Sequence, residues 1–196
     1  MKNWLAELRR SFLAVAILAV ILCVLYTLVV WALAQGIFYR PANGSQIVRN
    51  GVVGSSLIGQ PFSSPAYFHP RPSAAGQGYD ASRSGGTNLG PLSKNLIETV
   101  RRRIAEYRAE NGLSTETLVP ADAVMSSGSG LDPHISPENA RLQAPRVARA
   151  RNISEAAVRK QIETFTEGRT LGILGEPRVN VLRLNLALDG VRDAGR

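Results

Sequence analysis

The chain has 196 residues and a formal net charge of +8, with 44% hydrophobic residues and a single cysteine, Cys23. One cysteine excludes an internal disulfide framework and any zinc site of cysteine type. A basic chain would ordinarily raise nucleic acid as a partner, but the N-terminal segment argues against it.

No charged residue occurs from Ser11 through Tyr39, and Phe12 to Ala34 is almost wholly apolar. At 1.5 Å per residue that core gives about 34 Å of helix, enough to cross a bilayer with some tilt. Trp4 precedes it, and Trp31, Phe38 and Tyr39 crowd its far end, where amphipathic rings favour the headgroup zone. Lys2, Arg9 and Arg10 lie before the span, whereas the first basic residue after it is Arg40. The positive-inside rule therefore predicts a cytoplasmic N-terminus over residues 1–10, a transmembrane helix over 11–36 and a periplasmic or extracytoplasmic domain over 37–196. A cleaved signal peptide is the rival, since Ala32-Leu33-Ala34 has the form of a cleavage site. The apolar run is, however, well beyond the roughly 7–15 residues of a signal core. Either way the remainder is exported, so Arg101-Arg102-Arg103 and Arg141, Arg146, Arg149 and Arg151 point to lipid headgroups, acidic partner faces or plain solvated helix surface.

Within the span, Ala16, Ala19, Cys23, Thr27 and Ala34 fall on one face at about 100° per residue. Small side chains let a second helix approach closely in lipid, so this is a candidate packing face.

In the exported part, residues 40–91 are rich in Gly, Pro, Ser and Asn, with Val52-Val53 and Ser56-Leu57-Ile58 as short extended pieces. A helix is expected to open at Pro91, with Ile97, Val100, Ile104 and Tyr107 as its apolar stripe and Gly112 as its stop. Ser136-Pro137-Glu138 reads as N-cap, N1 proline and first-turn acid of another helix. A further helix starts at Ser154, carries Val158, Ile162 and Phe165, and stops at Gly168. Leu182, Leu184, Leu186 and Leu188 alternate with other residues, predicting a final strand, and the tail after Asp189 reads as frayed. With no repeat and no βαβ rhythm, the fold class is α+β: one transmembrane helix, then a domain with a small sheet and three to four helices.

Catalytic signals are sparse. Ser84-Gly85-Gly86 resembles the surroundings of a hydrolase nucleophile, and Asp132-Pro133-His134 pairs a carboxylate with an imidazole. No Gly-x-Ser-x-Gly elbow is present, so a membrane-anchored extracytoplasmic serine hydrolase is only the alternative reading. Asp132 and His134 alone are too few for a metal site, and no phosphate-binding loop is complete.

Longer strings carry more. Gly59-Gln60-Pro61-Phe62, Tyr67-Phe68-His69-Pro70-Arg71-Pro72-Ser73 and Ser84-Gly85-Gly86-Thr87-Asn88-Leu89-Gly90-Pro91 occur in order. Ser127-Gly128-Ser129-Gly130-Leu131-Asp132-Pro133-His134-Ile135-Ser136-Pro137, Arg146 to Arg151 and Pro177 to Leu182 follow. Together with the anchor, this set resembles the C subunit of the bacterial Kdp potassium-transporting P-type ATPase, from the membrane helix to about Leu188. His69-Pro70 and Leu92-Ser93-Lys94 depart from the family pattern. Asn152 stands where glycine is common, a tolerable exchange because Asn accepts the left-handed conformation.

The resemblance implies a non-catalytic accessory subunit of a high-affinity potassium uptake complex in the bacterial inner membrane. Its partners would be a potassium-translocating subunit, an ATP-hydrolysing subunit and membrane lipid, with no nucleic acid. ATP and potassium would act at the level of the complex, with the chain assisting assembly and, as a catalytic chaperone, raising the ATP affinity of the ATPase subunit. The loops carrying Phe62, Tyr67, Arg71, Ser84, Gly85, Gly86, Asn88, Gly90, Asp132, His134 and Ser136 become candidate docking loops.

Overall fold

The computed structural model describes residues 3–48 and 52–190. Met1, Lys2 of the basic flank and the tail beyond Gly190, where fraying is expected, lie outside the described residues. The chain divides into two compact units between Ser45 and Gln46.

The first unit is one helical rod. Helix α1 (Trp4–Ala19) passes through a π-helical stretch, Val20–Leu25, into α2 (Tyr26–Ile37), and a single turn, α3 (Tyr39–Ala42), follows. The rod is 34 residues long, its most apolar stretch has a mean hydropathy of 3.0, and none of that stretch is buried within the molecule. It is long and apolar enough to cross a membrane. At the π stretch the Tyr26 N–H donates to the Ile21 carbonyl, five residues back.

The second unit is α+β. A hairpin of β1 (Gln46–Val48) and β2 (Val52–Ser55) forms a two-stranded sheet. The second sheet has the order β3 (His134–Ile135), β5 (Arg178–Asn180), β4 (Thr166–Glu167), all antiparallel. Around it stand α4 (Lys94–Asn111), the one-turn α5 (Ala121–Val124), α6 (Pro137–Arg151), α7 (Glu155–Phe165) and α8 (Val181–Leu188). Phe68, Ile135, Ala144, Val147, Val158, Ile162, Val179 and Leu184 form the heart of the core. The alanines of α6 let that helix lie close against its neighbours, and each large aliphatic removed from water stabilises by about 1.5–3 kcal/mol.

The caps follow the sequence in part. Ser136 and Ser154 accept hydrogen bonds from the N–H groups of Asn139 and Ala157, and Pro137 sits in the first turn of α6. Gly112 and Asn152 end α4 and α6 in the left-handed conformation, at φ 65° and 54°.

Four local expectations are corrected. Helix α4 starts at Lys94, not Pro91, because Ser93 supplies the cap oxygen to the Leu96 N–H while Gly90 to Ser93 closes a turn. Ser56 to Ile58 is a turn beyond β2, tied by the Leu57 N–H donating to the Ser55 hydroxyl. Helix α7 ends at Phe165, three residues before Gly168, because Thr166 and Glu167 leave to pair with β5. The largest change is the final element: Val181–Leu188 is a helix, and the strand is the three residues before it. Asn180 caps it by accepting from the Arg183 N–H at 3.1 Å. Val181, Leu184 and Leu188 recur at three and four and all meet the core, a helical stripe concealed within the leucine alternation.

Candidate functional site

Pro65 to Ser73 contains three prolines, Pro65, Pro70 and Pro72, which disfavour sheet and helix, and it forms neither. Its backbone still crosses the core, where every N–H and C=O needs a partner. Side chains from α6 and α8 supply them. The Arg146 guanidinium donates from Nη1 to the carbonyls of Pro65 (2.6 Å) and Tyr67 (3.0 Å). Arg151 Nε donates to the Ala66 carbonyl at 2.6 Å. Asn185 accepts from the Phe68 N–H (2.8 Å) and donates to the Phe68 carbonyl (3.0 Å). Gln143 does the same for His69, at 2.7 and 3.1 Å. A strap of irregular chain is thus held by four side chains, with Phe68 fully buried beneath it.

The clamp has its own support. Arg146 is 6% exposed and also donates to Asn111 Oδ1 and Gln143 Oε1. Burial works against its charge and lowers its pKa, while the Glu110 carboxylate, 3.9 Å from Nε, opposes that effect. Gln143 donates to Asn139, Tyr107 donates to the same Asn139 oxygen, and Asn139 donates to Asp122. Burial, then the Asp122 charge, pushes the Tyr107 phenol up, so it remains a proton donor. At the far end Arg151 covers the Tyr67 ring at 4.9 Å and pairs with Asp189 at 2.8 Å, and the Tyr67 hydroxyl donates to the same carboxyl group.

The glycine-rich loops pack on one another. The Gly85 N–H and the Ser84 hydroxyl both donate to the Ser129 carbonyl, at 2.9 Å each. Gly130 has φ +67°, and a Cβ there would stand 2.6 Å from the Gly85 carbonyl oxygen and 2.7 Å from the Ala75 nitrogen. A Cβ on Gly86 would stand 3.1 Å from the Gly128 carbonyl oxygen. The Ser73 hydroxyl ties the strap to this region by donating to the Gly130 carbonyl at 2.6 Å.

Asp132 joins the two systems. It accepts from the backbone N–H of His134, from Arg71 Nη1 at 3.0 Å, and lies 3.3 Å from His134 Nδ1. Burial raises its carboxyl pKa, but the His134 hydrogen bonds and the Arg71 charge together outweigh burial and leave it lowered. His134 Nε2 in turn stands 4.0 Å from Glu167, which pairs with Arg178 and Arg183. The Ser84 hydroxyl points to a main-chain carbonyl and His134 is flanked by two carboxylates, an arrangement unlike a serine–histidine relay.

The candidate docking residues therefore separate. Phe62 packs against the core and lies 5.4 Å from the Tyr67 ring. Tyr67, Arg71, Gly85, Gly86, Asp132, His134 and Ser136 are half-buried in the contacts just described, Ser136 also donating to Asp122. Ser84, Asn88 (φ 51°) and Gly90 are exposed. In the helical rod, Ala16 and Ala19 lie in α1, Cys23 in the π stretch, and Thr27 and Ala34 in α2. The five are thus spread over two α-helical stretches and the π stretch between them.

The residues that sequence reading missed are the clamp itself. Arg146 stands among arginines read as lipid-facing, partner-facing or solvated, yet it is interior; Arg151 is largely covered, whereas Arg141 and Arg149 are exposed. A signal was present: Asn139, Gln143 and Arg146 recur at four and three, beside the apolar stripe Ala140, Ala144 and Val147.

Comparison with known proteins gives the context of this architecture. Residues 8–190 match the family model for KdpC: K+-transporting ATPase, c chain. The chain is similar to the potassium-transporting ATPase KdpC subunit of Mycobacterium tuberculosis (strain ATCC 25618 / H37Rv), with 53% identity covering 93% of this chain and 97% of the relative. The corresponding subunit of Acidobacterium capsulatum is 56% identical with the same coverage, and that of Koribacter versatilis is 50% identical over 95% of each chain. By a match that runs from the apolar helix through the clamped strap to the end of α8, the chain belongs to the KdpC family, the c chain of K+-transporting ATPases.

Proposed function

We propose that this chain is a non-hydrolytic accessory subunit that assists assembly of a potassium-transporting ATPase and stabilises it. Its helix would lie in the bacterial inner membrane with the N-terminus cytoplasmic, and its domain would face the outside. Support comes chiefly from the family match, which spans anchor and domain together. Its partners on this reading are the potassium-translocating subunit and the ATP-hydrolysing subunit. Exposed Ser84, Asn88 and Gly90 form the docking edge of the outer domain, and the small residues of the rod form its contact within lipid. A catalytic-chaperone role acts through assembly, because ATP is cytoplasmic and about ten residues of the chain would be there.

The test is potassium-stimulated ATP hydrolysis by the complex purified with and without this chain. Omission is expected to lower recovery of the intact complex and to raise the KM for ATP. Intact assembly, transport and ATP affinity without the chain would refute the proposal. Orientation is checked separately by labelling a Ser84→Cys variant in intact cells with a membrane-impermeant maleimide; protection of that thiol until the cells are opened would reverse the topology.

A further inference from the structure

Strands β4 and β5 continue outward into a narrow loop. Thr170 and Leu174 exchange two backbone hydrogen bonds, at 2.8 and 2.9 Å, and the Gly172 N–H donates to the Arg169 carbonyl at 3.1 Å. Two ion pairs cross this stem: Glu167 with Arg178 at 3.1 Å, and Arg169 with both oxygens of Glu176 at 2.9 and 2.8 Å. Beyond the second pair the loop presents aliphatic side chains to solvent: Leu171 is 85% exposed, Ile173 76% and Leu174 57%. Leu171 also has φ +55°, in the left-handed region that a branched side chain rarely adopts. Gly and Asn take that conformation at less cost. Here a leucine is held in a strained conformation at the point of greatest exposure, and such strain collects at ligand clamps and contact sites.

We propose that Leu171, Ile173 and Leu174 form an anchor that seats in an aliphatic, uncharged pocket on the outer face of another membrane-embedded subunit of the ATPase. This rests on the accessory-subunit reading above. Three side chains bury too little surface to offset the lost freedom of a freely diffusing partner. They suffice when anchor and pocket are already confined beside each other by a shared membrane, which makes the contact effectively intramolecular. A lipid surface fits less well. Interfacial insertion draws on Trp or Tyr and on free cations, whereas the tip has no aromatic residue and Arg169 is neutralised by Glu176. Fluid lipid also selects no backbone conformation, so the strain at Leu171 would bring no gain, whereas a shaped pocket rewards a fixed tip.

The test uses the whole complex in native membranes, with a photoreactive p-benzoylphenylalanine in place of Ile173. Illumination is expected to couple this chain to another polypeptide of the complex; coupling to lipid alone, to a second copy of this chain, or to nothing overturns the proposal. In parallel, Ile173→Asp is expected to lower the amount of this chain recovered with the complex by about tenfold or more. Leu118→Asp, at a site that is also strongly exposed, should leave recovery unchanged. Both variants should keep the unfolding midpoint of the unaltered chain, since both sites are in solvent. If the unaltered chain is recovered and Ile173→Asp is recovered equally well, the anchor fails while the accessory-subunit reading stands. If the unaltered chain is not recovered at all, both fail.

Discussion

The side-chain amide of Asn185 closes a two-bond ring with the backbone of Phe68, 117 positions earlier, accepting from its N–H at 2.8 Å and donating to its carbonyl at 3.0 Å. Asn185 therefore does for the strap what a neighbouring strand does in a sheet. Leucine at this position keeps the volume but leaves two buried backbone groups without partners. Asn185→Leu is expected to destabilise the domain by about 1–3 kcal/mol for each orphaned group. Denaturant unfolding of the full chain in detergent measures this, and a change of only a few tenths would show that the strap does not need the clamp.

Gln143 and Arg146 hold adjacent parts of the same strap and also touch each other, through the 2.8 Å bond from Arg146 Nη2 to Gln143 Oε1. Their truncations should not add. Gln143→Ala and Arg146→Met are each expected to be strongly destabilising, because the first strands the His69 backbone and the second strands the Pro65 and Tyr67 carbonyls. A double-mutant cycle should give a coupling of about 0.5–3 kcal/mol. Arg146→Lys should recover little, since one ammonium cannot reproduce a planar fork serving four acceptors.

What could be read from the sequence divides along physical lines. Caps depend on a few neighbouring residues, so Ser136, Ser154 and Gly112 were legible; at Asn152 only its tolerance of the left-handed conformation was, and not the helix end it makes. The apolar rod was legible because its signal is the length of an uninterrupted run, although the π stretch at Val20–Leu25 was not. The final element was misread because Val181 to Leu188 satisfies period two in its leucines and the helical period in its core contacts. The deciding feature, Asn180 acting as cap at the end of β5, requires knowing where β3 lies. The clamp left only a partial trace, the spacing of Asn139, Gln143 and Arg146 beside the apolar stripe of α6. Buried Arg146 and exposed Arg149 are the same residue type three positions apart; spacing separates their faces, but what Arg146 holds, the strap some 80 residues earlier, is not marked by it.

Glycines of the two packed loops should respond unequally to a methyl group. Gly130→Ala meets both a positive φ and the Gly85 oxygen at 2.6 Å, whereas a Cβ on Gly85 meets nothing within 4 Å. Gly130→Ala is expected to destabilise by more than about 1 kcal/mol, and Gly85→Ala to be nearly neutral. Limited proteolysis should show faster cleavage near residues 83–90 in the first variant only, because displacement of the Gly130 turn loosens the contact at Ser129. Equal cleavage in both variants would mean that the loops do not brace one another.

Acid should weaken the Asp132 node in a defined direction. Its native carboxyl pKa lies below the ordinary value of 3.8, with burial opposing and the His134 hydrogen bonds and the Arg71 charge prevailing. Above the unfolded value the native state holds the charged form more favourably, and the resulting stability is fully present. As pH falls below that value the unfolded chain takes up the proton first, so the stability declines and is lost as pH passes through the lower native value. Asp132→Asn removes the charge, so its unfolding midpoint should lie below that of the unaltered chain at about pH 7, and the gap should narrow as pH falls below the ordinary carboxyl value and close once it has passed through the lowered native one. Thermal unfolding of both full-length chains across this range decides the matter. A gap that stays constant into acid would assign Asp132 a role in backbone geometry at His134, with no contribution from its charge.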